Sequence, residues 1–284
     1  MQNQTTALMT PPVVKLKELK NLFFELNKNC NLKCQYCYIK NDNKNVFLET
    51  DKIKQSLNSI KNNELLSIYL TGGEPMMHPD FNQILRMCLK VTNTTVMTNG
   101  IMINDKKARF LRKIDDESKF ETIYRISLDS VDELENDSKR GRGSFRHAIS
   151  AIFSLIKYEF NPIISVTNWS KRTKEEIFED FQTYFSKKGF ELEEINLKVI
   201  PYFENNKQNQ EFEIKDIKNE KMLDCATSRT VTSNGVWACP ILAGDYRAKL
   251  GTTLDDYSKL NYLDCEKCAT CANWQNKVMV NDWC

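Results

Sequence analysis

Cys30-Asn-Leu-Lys-Cys34-Gln-Tyr-Cys37 places three thiols at the spacing C-x3-C-x2-C, directly after the apolar run Leu22–Leu26. Thiols this close on one loop can ligate three irons of a [4Fe–4S] cube and leave the fourth iron open to a chelating ligand. The alternative reading of the three thiols alone is a zinc loop that borrows its fourth ligand from elsewhere. The chain has only two histidines, His78 and His147, so any metal site is sulfur-dominated, which favours iron–sulfur or zinc. Three of the ten cysteines lie at 30–37 and six between Cys225 and Cys284, a clustering that suggests ligation.

Outward from this loop, strand-like and helix-like segments alternate. The strand candidates are Leu22–Leu26, Leu66–Leu70, Thr94–Met97, Ile123–Leu128, Ile163–Thr167 and Ile195–Ile200, short and rich in β-branched or aromatic residues. Between them, Thr50–Asn62, Phe81–Val91, Lys106–Ile114, Phe145–Tyr158 and Thr173–Lys187 carry apolar residues at helical spacing. Successive β–α units predict parallel strands with right-handed crossovers, in either a partial (βα)6 barrel or a doubly wound sheet. After Tyr202 the pattern is lost. The sequence predicts an N-terminal extension at 1–20, an α/β domain at 21–203, a polar linker at 204–222 and a small cysteine-rich domain at 223–284. So small a unit needs a metal to hold it together.

Composition excludes several classes. In 284 residues the net charge is +2, with no Lys/Arg stripe, so nothing argues for nucleic acid or an anionic membrane. No apolar run approaches the roughly 20 residues of a membrane helix. Met1–Lys20 lacks the apolar segment of a signal peptide, so a cytoplasmic protein with reduced thiols is expected.

The cysteine loop resembles the signature of the radical S-adenosylmethionine (radical SAM) enzymes, C-x3-C-x-φ-C with an aromatic φ, here Tyr36. The resemblance runs from about Phe23 to Tyr202 and implies the partial (βα)6 TIM-like barrel. It implies a cluster held by Cys30, Cys34 and Cys37, with S-adenosylmethionine on the open iron. One electron then cleaves the sulfonium to methionine and a 5′-deoxyadenosyl radical, which takes a hydrogen atom from the substrate. Tyr36 would sit beside the adenine. Thr71-Gly72-Gly73-Glu74-Pro75 looks like the family's GGE(P) motif, with glycine backbone approaching the ligand and Glu74 offered to its ammonium group. Thr98 and Asn99 end the third strand. Ser127 and Asp129 end the fourth and are placed to bind the methionyl or ribose part. Arg140-Gly-Arg142-Gly-Ser-Phe145 resembles a segment near the cofactor. A glycine motif that some members carry on the fifth strand is not evident.

The C-terminal cysteines resemble the family's auxiliary-cluster domains, the one-cluster twitch or the two-cluster SPASM form. Cys225, Cys239 after the Asn234-Gly235 turn, Cys265 and Cys268 are the expected ligands of a second [4Fe–4S] cluster, with Cys271 able to replace Cys265. Three residues separate Gly235 from Cys239 where the SPASM pattern has four, and C-x2-C-x2-C replaces the longer run, which favours one auxiliary cluster. A zinc ribbon of the same thiolates is the alternative. Cys271 or Cys284 is the candidate hydrogen donor if the reaction is an epimerisation. His78 is expected to cap the second helix and Cys88 to fill core.

The expected function is a radical SAM oxidoreductase that dehydrogenates a small molecule or peptide, with the second cluster as electron sink or substrate holder. An epimerase, a peptide- or protein-maturing enzyme, and a metal-bearing binding module without turnover are the alternatives. Only 29 residues precede Cys30, which tilts the expectation towards a small molecule. A reductant such as flavodoxin or ferredoxin is the expected partner.

Overall fold

The computed structural model describes residues 13–16, 18–39, 45–60, 65–203, 224–254, 260–262, 267, 268 and 271. The predicted linker, Cys265 and Cys284 lie outside them.

The chain enters through a short strand β1 (Val13–Lys15) and then builds six strands, β2 (Asn21–Glu25), β3 (Ser67–Thr71), β4 (Thr94–Thr98), β5 (Thr122–Ser127), β6 (Ile163–Asn168) and β7 (Leu197–Pro201). Each pairs in parallel with the next in chain order. This is the TIM-like α/β arrangement expected from the alternating segments. Residues such as Leu22, Phe24, Leu70, Val96 and Ile126 point away from the inner face and are fully buried against the helices. The covering helices are α1 (Thr50–Ser59), α2 (Phe81–Cys88), α3 (Asp105–Asp116), α4 (Glu133–Arg140), α5 (Ser144–Lys157) and α6 (Lys174–Ser186).

Two expectations need correction. β7 starts at Leu197 rather than Ile195, because Glu194–Asn196 forms a 3-10 turn closed by reciprocal bonds between Glu193 and Asn196. Helix α4 was not expected at all. It holds Asn136 and Arg140 as its buried residues, while its lone leucine, Leu134, is 82% exposed, so it has no apolar period to read. End signals hold it instead: Asp132 accepts from the Glu135 N–H at 2.8 Å, and Gly141 ends it at φ 114°.

The sheet continues beyond the predicted linker. Strand β8 (Ser228–Thr232) pairs in parallel with β2, on the side away from β3. It turns through Ser233-Asn234 into β9 (Gly235–Trp237), followed by β10 (Lys249–Gly251), giving the order β10-β9-β8-β2-β3-β4-β5-β6-β7. A separate two-stranded sheet joins β1 to β11 (Leu260–Tyr262). The carboxyl ends of β2–β7 therefore share one rim, and the cysteine loop leaves β2 at that rim.

Candidate functional site

A cavity of about 560 Å³ opens at this rim, lined by Cys30, Cys34, Cys37, Tyr36, Gly72, Gly73, Thr98, Asn99, Ser127 and Arg140 among others. Ten of the expected cofactor and cluster residues thus face one space. Glu74 and Asp129 do not line it.

Local packing explains the loop's position. A Cβ on Gly72 would stand 2.3 Å from the Asn27 carbonyl oxygen, and one on Gly73 would stand 2.1 Å from that of Asn29. The glycines let the β3 loop press on the stem of the cysteine loop, where the Gly73 N–H donates to Asn27 O and the Glu74 N–H to Asn29 O, both at 2.8 Å. Glu74 lies behind them, fully buried. Its carboxylate accepts from Thr98 Oγ1 at 2.8 and 2.9 Å, from the Asn99 N–H at 2.9 Å and from the Met76 N–H at 3.0 Å. Burial pushes this carboxyl up and the three donors oppose that. These bonds tie Glu74 to the end of β4 and to the turn after it.

The other side of the loop rests on the end of α4. The last carbonyls of a helix lack intrahelical partners. Here the Gln35 N–H donates to Lys139 O at 2.9 Å, the Gln35 side chain to Ser138 O at 2.8 Å and the Cys34 thiol to Arg140 O at 3.6 Å. Arg140 then returns a side chain to the loop, donating to the Tyr36 hydroxyl at 2.6 Å and pairing with Asp129 at 3.3 Å. Tyr36 also hydrogen-bonds Asp129, whose other oxygen accepts from the Thr167 N–H at 2.9 Å. Burial pulls the Arg140 guanidinium down, but Asp129 and Tyr36 outweigh it and hold it above its ordinary value. Burial, then Asp129, pushes the Tyr36 phenol up despite Arg140.

The donor set suits a cube with one open iron. Cys30 Sγ accepts from the Leu32 N–H at 3.4 Å and from Asn99 Nδ2 at 3.7 Å, contacts that suit a thiolate. Burial pushes all three thiols up. A coordinated metal offsets such a shift by taking the deprotonated form.

The C-terminal cysteines are placed less completely. Cys239 and Cys268 pack on the same small cluster of Trp237, Leu242 and Ala248. The Cys225 carbonyl accepts from Asn261 Nδ2 at 2.6 Å. Cys271 is half-buried. Pro240 and Ile241, next to Cys239, wall the main cavity. Tyr38, on the same wall, hydrogen-bonds Thr71; burial, then Glu25, Cys37 and Cys239, push its phenol up, so it lies near thiols of both groups.

His78 is structural. Its Nδ1 accepts from the Asp80 N–H and its Nε2 meets Leu48 O, both at 3.0 Å, which fixes a neutral ring at the start of α2. Cys88 is buried in the core. Residues missed from sequence include Arg125, Lys28, Lys33 and Phe203, which line the cavity. For Arg125 the available signal was its i, i+2 spacing from Ser127 on one strand.

Known proteins resemble this chain in sequence and in fold. The chain is 35% identical over 132 residues to the antilisterial bacteriocin subtilosin biosynthesis protein AlbA of Bacillus subtilis, covering 45% of this chain and 29% of AlbA. It is 29% identical over 213 residues to a cysteine-type anaerobic sulfatase-maturating enzyme of Clostridium perfringens, covering 67% and 55%. The chain thus spans about half the length, or less, of these relatives. The structure of Streptococcus suis SuiB bound to its precursor peptide SuiA superposes with a TM-score of 0.63 at 18% identity, over 84% of this chain and 63% of SuiB, and so shares the fold. Among the described residues no helix is long and apolar enough to cross a membrane. The Radical SAM superfamily profile matches residues 24–183, more than half of the chain, and the chain belongs to that superfamily of [4Fe–4S], S-adenosylmethionine-dependent enzymes.

Proposed function

We propose that this radical SAM enzyme modifies a peptide or a protein side chain by oxidation. The observation that carries the reading is a single cavity walled on one side by the Cys30–Cys37 loop and on another by Pro240 and Ile241 beside Cys239. The first two relatives named above are a bacteriocin biosynthesis protein and a sulfatase-maturating enzyme, which favours a peptide over the small molecule expected from the short segment before Cys30.

When bound, the cluster and S-adenosylmethionine supply a hydrogen-abstracting radical. The chain's own residues do the rest. Cys30, Cys34 and Cys37 hold the cluster, with Gly72, Gly73, Asn99 and Ser127 around the open position. Glu74 fixes Thr98 and Asn99, and the Tyr36–Arg140–Asp129 network fixes the aromatic residue of the loop. Phe23, Met97, Ile200 and Ile241 keep water from the reacting carbon.

Cys225, Cys239 and Cys268, with Cys265, are proposed to hold a second [4Fe–4S] cluster that accepts the second electron. A flavodoxin or ferredoxin is the proposed reductant and the reducing cytoplasm the proposed location. Epimerisation, with Cys271 or Cys284 as hydrogen donor, is the second reading. Mass spectrometry of peptide turned over in deuterated water separates them: loss of two hydrogens supports oxidation, whereas uptake of one deuterium without net loss overturns it.

A further inference from the structure

The C-terminal cysteines gather around a small apolar cluster, Trp237, Leu242 and Ala248 among the described residues, so polar contacts carry much of the geometry there. Cys225 lies in the 3-10 turn Asp224–Ala226, and its carbonyl is held from two sides. Asn261 on β11, fully buried, donates to it from Nδ2 at 2.6 Å. Arg229 on β8, fully buried as well, donates to it from Nη1 at 3.3 Å and to Ser228 O at 2.6 Å. A carbonyl oxygen has two lone pairs, so this one is fully engaged. Just after the turn, Thr227 O accepts from the Lys20 and Asn21 N–H groups at 2.8 and 3.1 Å, which ties the turn to the start of β2.

Fixing the peptide plane of Cys225 fixes the direction in which its thiol leaves the backbone. Partners one layer behind a metal ligand orient it in this way. The Asn261 amide serves here as a donor: its Oδ1 is buried and has no hydrogen-bond partner among the described residues. Strand β11 also reaches the other cysteines, because Tyr262 packs on the Trp237 cluster with Cys239 and Cys268. The Arg247 guanidinium lies over the Tyr262 ring, 4.7 Å from its centroid. On its remaining side β11 is backed by β1, with Val14 opposite Asn261 and Val13 opposite Tyr262. Both strands lie outside residues 24–183, the part of the chain that the superfamily profile matches.

We infer that the β1–β11 ribbon is part of the second cluster's site, with Asn261 as the positioning residue that aims the Cys225 thiol. This rests on the second-cluster reading above.

The test uses the full chain with Cys30, Cys34 and Cys37 replaced by Ala, so that iron reports the C-terminal site alone. Iron, sulfide and zinc per chain and the EPR spectrum of the reduced protein are measured after anaerobic reconstitution. About four irons are expected in this parent, and fewer than about one when Asn261→Leu is added, which keeps the volume and removes the donor. Asn261→Gln, which keeps the donor on a longer stem, should restore about half of the iron and the parent's EPR signal. Full loading of Asn261→Leu overturns the inference and leaves the second cluster standing. Equal loss in Asn261→Gln assigns the effect to packing and overturns the positioning role. A parent that holds no iron, or zinc in its place, overturns the second-cluster reading itself and the inference with it. Should Asn261→Leu fail to fold, Val14→Pro decides alone, since it disrupts the ribbon from the β1 side without touching the Cys225 turn. Iron loss in that variant supports the inference, and full loading overturns it.

Discussion

Arg140 donates a 2.6 Å hydrogen bond to the hydroxyl of Tyr36, 104 residues earlier in the chain. That bond joins the end of α4 to the cysteine loop, and Asp129 balances its charge from the end of β5. Removing the cation leaves a buried carboxylate without its ion pair, a loss of about 3–5 kcal/mol, whereas removing the phenol hydroxyl costs about 1–3 kcal/mol. Arg140→Ala should therefore lower the anaerobic melting temperature more than Tyr36→Phe. The double variant should fall short of the sum, because the two groups share one network. Additive shifts would contradict the network.

The contact of Gly73 with Asn29 makes a second prediction. A methyl group at 2.1 Å from a backbone oxygen cannot be absorbed by a side-chain rotation, so Gly73→Ala must push the cysteine stem away from β3. Iron analysis of the reconstituted protein should show loss of the loop's cluster, about four irons, with the C-terminal iron retained. Full iron loading in Gly73→Ala would mean that the stem moves freely.

Two buried groups give the stability opposite pH dependences. Burial raises Glu25 from 4.5 to about 7, so the folded chain holds a proton that the unfolded chain has released in that window, and stability falls as pH rises from about 4.5 to 7. Glu25→Gln should remove that fall and stabilise the protein above pH 7 by up to about 3 kcal/mol. Burial lowers His78 from 6.5, so its contribution is complete above about that pH and is lost as pH falls below it. Melting temperatures of Glu25→Gln and wild type between pH 5 and 8 check the first effect. Parallel profiles would contradict it.

How far the sequence alone reached follows from what each part depends on. Strands such as Leu22–Leu26 and Thr94–Met97 were legible because burial requires β-branched and aromatic runs. The cysteine loop was legible because ligand spacing is local. Helix α4 was not, since polar contacts of Asn136 and Arg140 bury it and leave no apolar stripe. The pairing of β8 with β2 was not legible either, because register between distant strands leaves no local mark. At the site, polar residues at strand ends such as Thr98, Asn99 and Ser127 line one cavity, yet spacing does not say which way each side chain points. Glu74 turned out to face Thr98 and Asn99, and Asp129 to face Arg140 and Tyr36, while Arg125 on the cavity wall passed unnoticed inside a strand.

The central claim is that the Cys30–Cys37 loop generates a radical from S-adenosylmethionine. The direct measurement is 5′-deoxyadenosine formation by the anaerobically reconstituted, reduced protein, for the wild type and for Cys30→Ala. The wild type should form 5′-deoxyadenosine and methionine in equal amounts. Cys30→Ala should form none while keeping the iron bound by the C-terminal cysteines. Cleavage that persists in Cys30→Ala, or a fully loaded wild type that leaves S-adenosylmethionine intact, would contradict the account.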